Sequence, residues 1–143
     1  MIANPVLHAL LGLLPVCCFL AALVYLDSYK LVPLKWVVAA IALGCATAIA
    51  SYPFSLIGLR WFDIDFTLYT RYVAPLIEEA LKALVIWVFM RSNRIGFLVD
   101  AAIYGFAVGA GFAIFENLYY LTILPDMKMG TWIVRGFGTA IMH

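Results

Sequence analysis

The sequence predicts an all-α fold: a polytopic transmembrane helical bundle of about four full spans plus a partial fifth, with a short interfacial or re-entrant segment. Three observations carry this reading. Hydrophobic residues make up 66% of the 143 positions and charged residues 12%, whereas a soluble domain is about half apolar and roughly a quarter charged. Mean hydropathy is +1.05. The apolar residues gather into runs close to the ~20 residues that cross a bilayer as helix, separated by short stretches that hold most of the charge. Residues 1–143 read as a single transmembrane domain, incomplete at its C-terminus.

The first run, Pro5 to Leu26, is apolar except for His8, which sits about a turn inside as an interfacial imidazole. Met1 to Asn4 lacks the basic region of a signal peptide and the run exceeds a signal's apolar core, so the segment is expected to remain as a first span. Asp27, Ser28, Tyr29 and Lys30 mark the exit into a loop ending near Lys35. A second, Ala-rich span runs from Trp36 to about Tyr52 and is closed by Pro53. From Pro53 to Tyr72, Arg60, Asp63, Asp65 and Arg71 interrupt the apolar pattern, and Trp61, Phe62, Phe66, Tyr69 and Tyr72 give an aromatic-belt composition. That composition suits a short interfacial helix or re-entrant hairpin at a membrane interface, with a plain connecting loop as the alternative.

A third span, Val73 to Met90, opens with Pro75, tolerated in a first turn where its missing N–H had no partner. Arg91, Ser92, Asn93 and Arg94 form a short basic turn. The fourth span, Ile95 to Leu121, carries small residues four apart at Ala101, Gly105, Gly109 and Ala113, a ridge that lets helix backbones approach. Thr122 to Gly130 is a loop, and a fifth span starts at Thr131. Thirteen residues to His143 reach only ~20 Å against ~30 Å of hydrocarbon, so the chain is expected to continue past His143 in its parent protein and to be inactive when cut there. Lysines and arginines divide as Lys30, Lys35, Arg91 and Arg94 on one side and Arg60, Arg71 and Lys128 on the other, which favours the N-terminus outside.

Formal net charge is +1, scattered along the chain, and this argues against a nucleic-acid partner. Cys17, Cys18 and Cys45 all lie within apolar runs and belong to no Cys-x-x-Cys or Cys/His metal spacing; they read as small buried residues facing protein or lipid.

Chemistry enters with the charges the spans should not tolerate. A charge at the centre of a bilayer helix costs roughly 2.5–3.5 kcal/mol on insertion scales, so such groups persist where they pair, meet water or react. In Glu78-Glu79-Ala80-Leu81-Lys82, Lys82 lies over Glu78 by the i,i+4 spacing and near Glu79 by i,i+3. A single Glu–Lys pair would serve structure, and the second carboxylate adds desolvation cost. Phe112 and Glu116 share a face of the fourth span, while Asp100, more than three turns lower, suits the helix N-terminus. Asn117 adjoins the small-residue ridge, placed to hydrogen-bond across helices. Arg135, Thr139 and His143 stand on one face of the last segment. Glu78, Glu79 and Glu116 are expected to face a shared internal cavity.

Glu78-Glu79-x-x-Lys82, Phe112-x-x-x-Glu116-Asn117 and an Arg135-bearing helix reaching His143 resemble the PrsW family of intramembrane proteases over roughly Arg71 to His143. That family resembles the CAAX-processing and bacteriocin-immunity membrane proteases, whose signatures are E-E-x-x-x-R and F-x-x-x-H; the Lys spacing and Glu116 point to the PrsW branch. Family members continue past this histidine to a further polar position, commonly a second His one turn later, which is absent here. The resemblance implies a multi-pass cell-membrane peptidase acting on a membrane-anchored protein such as an anti-sigma factor. Glu78 is then the general base, with Glu79, Glu116 and His143 positioning the water or a metal, Lys82 completing the set, and Phe112, Asn117 and Arg135 in support.

Apolar surroundings and like charges raise a carboxyl's pKa toward the range useful for proton transfer at neutral pH. The three carboxylates with Lys82 and Arg135 sum to −1, which one proton or a divalent cation would each offset. Both a metal-free route and a zinc ion held by Glu79, Glu116 and His143 therefore stay open. No H-E-x-x-H or G-x-S-x-G motif is present. The alternatives are a CAAX-type prenyl-protein endopeptidase, a non-catalytic scaffold like the Aph-type subunit of gamma-secretase, or a small transporter. Substrate identity and oligomeric state are not encoded legibly.

Overall fold

The computed structural model describes residues 5–26, 32–62, 65–123 and 128–142. The readings made on Asp27 to Lys30, Asp63, Pro125, Asp126 and His143, and on the side chains of His8 and Thr139, lie outside the described residues. All regular structure among the described residues is helical: α1 (Pro5–Leu26), α2 (Leu34–Phe62), α3 (Phe66–Leu68), α4 (Ala74–Arg91), α5 (Leu98–Ile123) and α6 (Met129–Met142), with one π turn, Tyr69–Val73, between α3 and α4.

α5 is the central post. It packs on α1, α2, α4 and α6, while α1 also packs on α6 and α2 on α4. Its small residues explain the position: Ala107, Val108, Ala110, Gly111 and Ala113 are all buried. One apolar cluster joins Val37 and Ala40 of α2, Phe89 of α4, and Ile103, Tyr104, Ala107 and Val108 of α5. A second joins Val16 of α1 to Ala110 and Ala113. Phe89 stacks on Tyr104 with ring centroids 4.7 Å apart.

The closest helix approach differs from the ridge expected in the sequence. Gly105 faces open space, whereas Gly111 lies directly against the backbone of Ile41, and Gly44 against that of Val108. Of the expected ridge, Gly109 and Ala113 are buried and Ala113 packs with Val16 of α1, while the tightest crossing with α2 lies on the neighbouring Gly111 face, where α2 offers its own glycine, Gly44. The Cys45 thiol donates to the Gly111 carbonyl at 3.1 Å across the same crossing.

Residues 53–72 also differ from expectation. Pro53 does not end the second helix; α2 continues through it to Phe62, as membrane helices allow when neighbours and side chains re-satisfy the backbone. Asp65 then caps α3, accepting from the N–H groups of Thr67 (2.9 Å) and Leu68 (3.4 Å). From Phe66 the chain runs as one rod to Arg91. The π turn sits within it, the Ala74 N–H reaching back to the Tyr69 carbonyl. Tyr69 is buried against Gly58 of α2. The separate interfacial or re-entrant segment is therefore replaced by the end of α2 and the start of this rod.

The basic turn after α4 is confirmed in detail. Asn93 takes φ 51°, a left-handed conformation that Asn tolerates. Asn93 N–H bonds the Met90 carbonyl and Arg94 N–H the Phe89 carbonyl, each at 3.1 Å, closing α4 with a Schellman motif. Asp100 Oδ2 accepts from the Gly96 and Phe97 N–H groups at 2.9 and 3.0 Å. This is the N-terminal role read from its place in the sequence, satisfying donors that the helix leaves unpaired.

Among the described residues two helices, Leu34–Trp61 and Leu98–Ile123, are long and apolar enough to cross a bilayer. Large apolar side chains point outward along the bundle, among them Leu14, Val38, Leu76 and Leu84, with exposed Tyr25 and Trp61 near helix ends. Aromatic residues at such ends suit the membrane interface.

Candidate active site

A cavity of about 530 Å³ opens between α2, α4 and α5. α2 lines it with Ala48, Ile49, Ser51, Tyr52 and Ser55, α4 with Glu78, and α5 with Phe112, Phe115, Glu116, Tyr119 and Tyr120. The wall is mostly apolar and aromatic, so Glu78 and Glu116 are the two acidic groups at it. α4 and α5 run antiparallel from the Arg91–Phe97 turn, and this brings the early part of α4 level with the later part of α5.

Glu79 has a different place. It lies outside the lining, its side chain 58% exposed, and accepts a 2.7 Å bond from Lys82 Nζ. Lys82 itself is 5% exposed, and its ammonium stands 3.9 Å from the centre of the Phe112 ring. A cation over an aromatic face is attracted by the ring quadrupole, more strongly when desolvated. Phe112, singled out in sequence for sharing a face with Glu116 and as part of the family-like motif, has a definite contact: Lys82 lies over its ring, and it also lines the cavity.

Glu116 is bridged by Arg135 of α6 at 3.4 Å. The same guanidinium lies 3.8 Å from the Tyr120 ring centre, held between a carboxylate and an aromatic plane as the flat, delocalised group favours. Asn117 is 1% exposed and donates from Nδ2 to the Gly12 carbonyl of α1 at 3.1 Å. That is the cross-helix role read for it in the sequence. The residues that sequence reasoning missed are the α2 wall, Ser51 and Ser55 above all. Their signal was a pair of hydroxyls four apart next to a proline inside an apolar run.

The helical bundle thus turns apolar faces outward and carries two carboxylates, Glu78 and Glu116, on one half-open cavity between its helices. The sequence matches the family described as PrsW family intramembrane metalloprotease over residues 32–143, and the chain belongs to that family. No curated protein and no solved structure matches it. Membership makes it one of a membrane-embedded peptidase family that acts on membrane proteins.

The family description implies a metal. Among the described residues no group of three or more His, Cys, Asp or Glu side chains could hold one. A catalytic zinc takes three protein ligands, and the described cavity offers the carboxylates of Glu78 and Glu116. The described residues alone thus do not complete a zinc site, and His143, the imidazole expected to join them, lies outside the described residues.

Proposed function

We propose that this protein hydrolyses a peptide bond of a membrane-anchored protein in a cell membrane that it crosses several times, α1, α4 and α6 standing in the bilayer beside α2 and α5. The observation that supports this most is the convergence of Glu78 and Glu116, from two different helices, on one cavity. Glu78 is the general base. It takes a proton from a water, whose oxygen attacks the carbonyl carbon. As the C–N bond breaks, the proton passes from Glu78 to the departing amine.

Glu116, steadied by Arg135, orients the water, and the guanidinium adds positive charge close to where the tetrahedral oxyanion forms. Lys82 and Glu79 form the supporting pair that keeps Phe112 at the cavity wall. His143 is assigned with Glu116 to positioning the water or a zinc ion. An anti-sigma factor is the kind of substrate that the family resemblance implies.

The test uses the protein in proteoliposomes with a single-span substrate. Glu78→Gln and Glu116→Gln are each expected to lower cleavage by about 10²–10⁴-fold, the usual worth of a positioned base, with helix content and melting retained. Wild-type rates in both would refute the assignment. Ion or solute flux without cleavage would favour the transporter, and assembly without cleavage the scaffold. Chelator treatment followed by zinc addition tests the metal separately.

A further inference from the structure

α2 and α5 meet most tightly where Gly44 and Gly111 each lie against the other helix's backbone. One turn further along both helices, at Ala48 and Phe115, this contact gives way to the cavity. The two faces that line it there differ in size. α2 contributes the small residues Ala48, Ser51 and Ser55, and α5 the rings of Phe112, Phe115 and Tyr119. Each set has the i, i+3, i+7 spacing of a single helix face. Bulky side chains on both faces would fill the space, as close-packed interiors do, so it is the small α2 residues that keep it open.

Burial separates a floor from a mouth. Ala48 and Ser51 are each 8% exposed and Phe112 2%, whereas Ile49 is 55%, Tyr52 61% and Tyr119 45% exposed. Ile49 lies near the middle of the Leu34–Trp61 span, so the mouth opens sideways toward lipid. The floor is apolar in effect, because the Ser51 hydroxyl proton is already given to the Ala48 carbonyl at 2.8 Å.

A peptide bond hydrolysed here must hold its carbonyl carbon beside a water within hydrogen-bond reach of Glu78. A side chain flanking that bond then has the rest of the cavity as its place. At about 530 Å³ the space falls within the roughly 300–1,000 Å³ of pockets that hold whole small ligands. We infer that Ala48 and Ser51 determine specificity, forming the floor of a subsite for a large apolar side chain, leucine or phenylalanine, next to the cleaved bond. The substrate segment enters sideways past Ile49, Tyr52 and Tyr119. This rests on the hydrolytic reading above. Burial of such a side chain against the α5 rings favours binding, and alanine at the same place would leave the space unfilled.

The test measures kcat/KM of the protein in proteoliposomes on single-span substrates carrying Ala, Leu, Phe or Trp at each of the two residues flanking the cleaved bond. Wild type is expected to prefer Leu or Phe to Ala at one of them by at least about tenfold, the discrimination a hydrophobic pocket achieves. Ala48→Leu and Ser51→Leu, which fill the floor, are each expected to reduce that preference at least about tenfold. Phe115→Ala, which widens the space from α5, is expected to shift preference toward Trp over Leu. The readout is a ratio between substrates within one variant, so a general loss of active protein cancels.

If the Leu variants do not fold, Phe115→Ala decides. Wild-type indifference to side-chain size at both positions, or a preference unmoved in folded Ala48→Leu or in Phe115→Ala, overturns the inference. If cleavage still depends on Glu78 in that case, the hydrolytic reading stands without it. Cleavage that survives undiminished in Glu78→Gln overturns both.

Discussion

Replacing Gly111 by Ala sets two effects of known size against each other. In a helix interior Ala is favoured over Gly by about 0.8–1 kcal/mol, which taken alone would stabilise α5. A Cβ at Gly111, however, would fall against the carbonyl oxygen of Ile41 and 3.0 Å from its Cα. Both are backbone atoms of α2, unable to swing aside as a side chain would, so the helices must part. Overpacking of this kind costs about 1–3 kcal/mol, occasionally more, and the rigid neighbour places it in the upper part of that range. The net expectation is a loss of about 2 kcal/mol.

For a chain of this length that loss lowers the melting temperature by about 4–8 °C. It also moves Phe112, the next residue, and with it the α5 wall of the cavity; a 1 Å misplacement of reacting groups costs about 10²-fold in rate. Gly105→Ala is the control, since nothing lies within 4 Å of a Cβ there, and it should gain up to about 1 kcal/mol. Thermal unfolding in detergent and cleavage in proteoliposomes read both. Equal stability and turnover in Gly111→Ala and wild type would refute the tight α2–α5 crossing.

Arg135→Met removes the partner of Glu116 and should lower kcat, while Arg135→Lys keeps the charge but loses the planar contact on Tyr120 and should fall between; equal rates in all three would detach Arg135 from the chemistry. Asn117→Ala should cost about 1–3 kcal/mol in melting experiments, because the Gly12 carbonyl is left buried without that donor, with little change in kcat once folded protein is counted. Asp100→Ala should cost about 0.5–2 kcal/mol by uncapping α5, visible as faster amide exchange at Gly96 and Phe97. Gly12→Ala should be mild, since a Cβ there would meet side-chain atoms of Trp132 and Asn117 at 3.6–3.7 Å, ordinary contact; a drop of many degrees would show that α1 sits closer than this.

The sequence was most legible where one local rule decided the outcome. α1 has the bounds read from its apolar run, because nothing within Pro5 to Leu26 competes. Asp100 and the Asn93 turn were legible for the same reason, since capping needs only neighbours. Pro53 misled because a proline ends a helix in water, whereas in an apolar bundle the helix carries on around it. The ridge was borne out at Gly109 and Ala113 and misled at Gly105, because α5 is apolar on every side and the tightest crossing is set by the partner, through Gly44. Glu78 and Glu116 were readable as costly charges. That Glu79 would turn to Lys82 and leave the cavity to them depends on the rotation of the rod, which no local pattern states.

The π turn before α4 gives that rotation a tolerance. A π turn holds about one residue more than the α turn it replaces, so at Tyr69–Val73 the rod carries one residue beyond regular α-helical phase. Removing one residue there would let an ordinary α-helix run from Phe66 onward, turning the preceding segment by about 100°. The spacing among Glu78, Glu79 and Lys82 would be untouched. A change of length on the entry side of this helix would therefore leave the phase of Glu78 and Glu79 unchanged, whereas a single deletion between Pro75 and Lys82 would bring a different side chain to the cavity. The rod thus has a clutch: its upstream part can slip by a residue without dragging the carboxylates along.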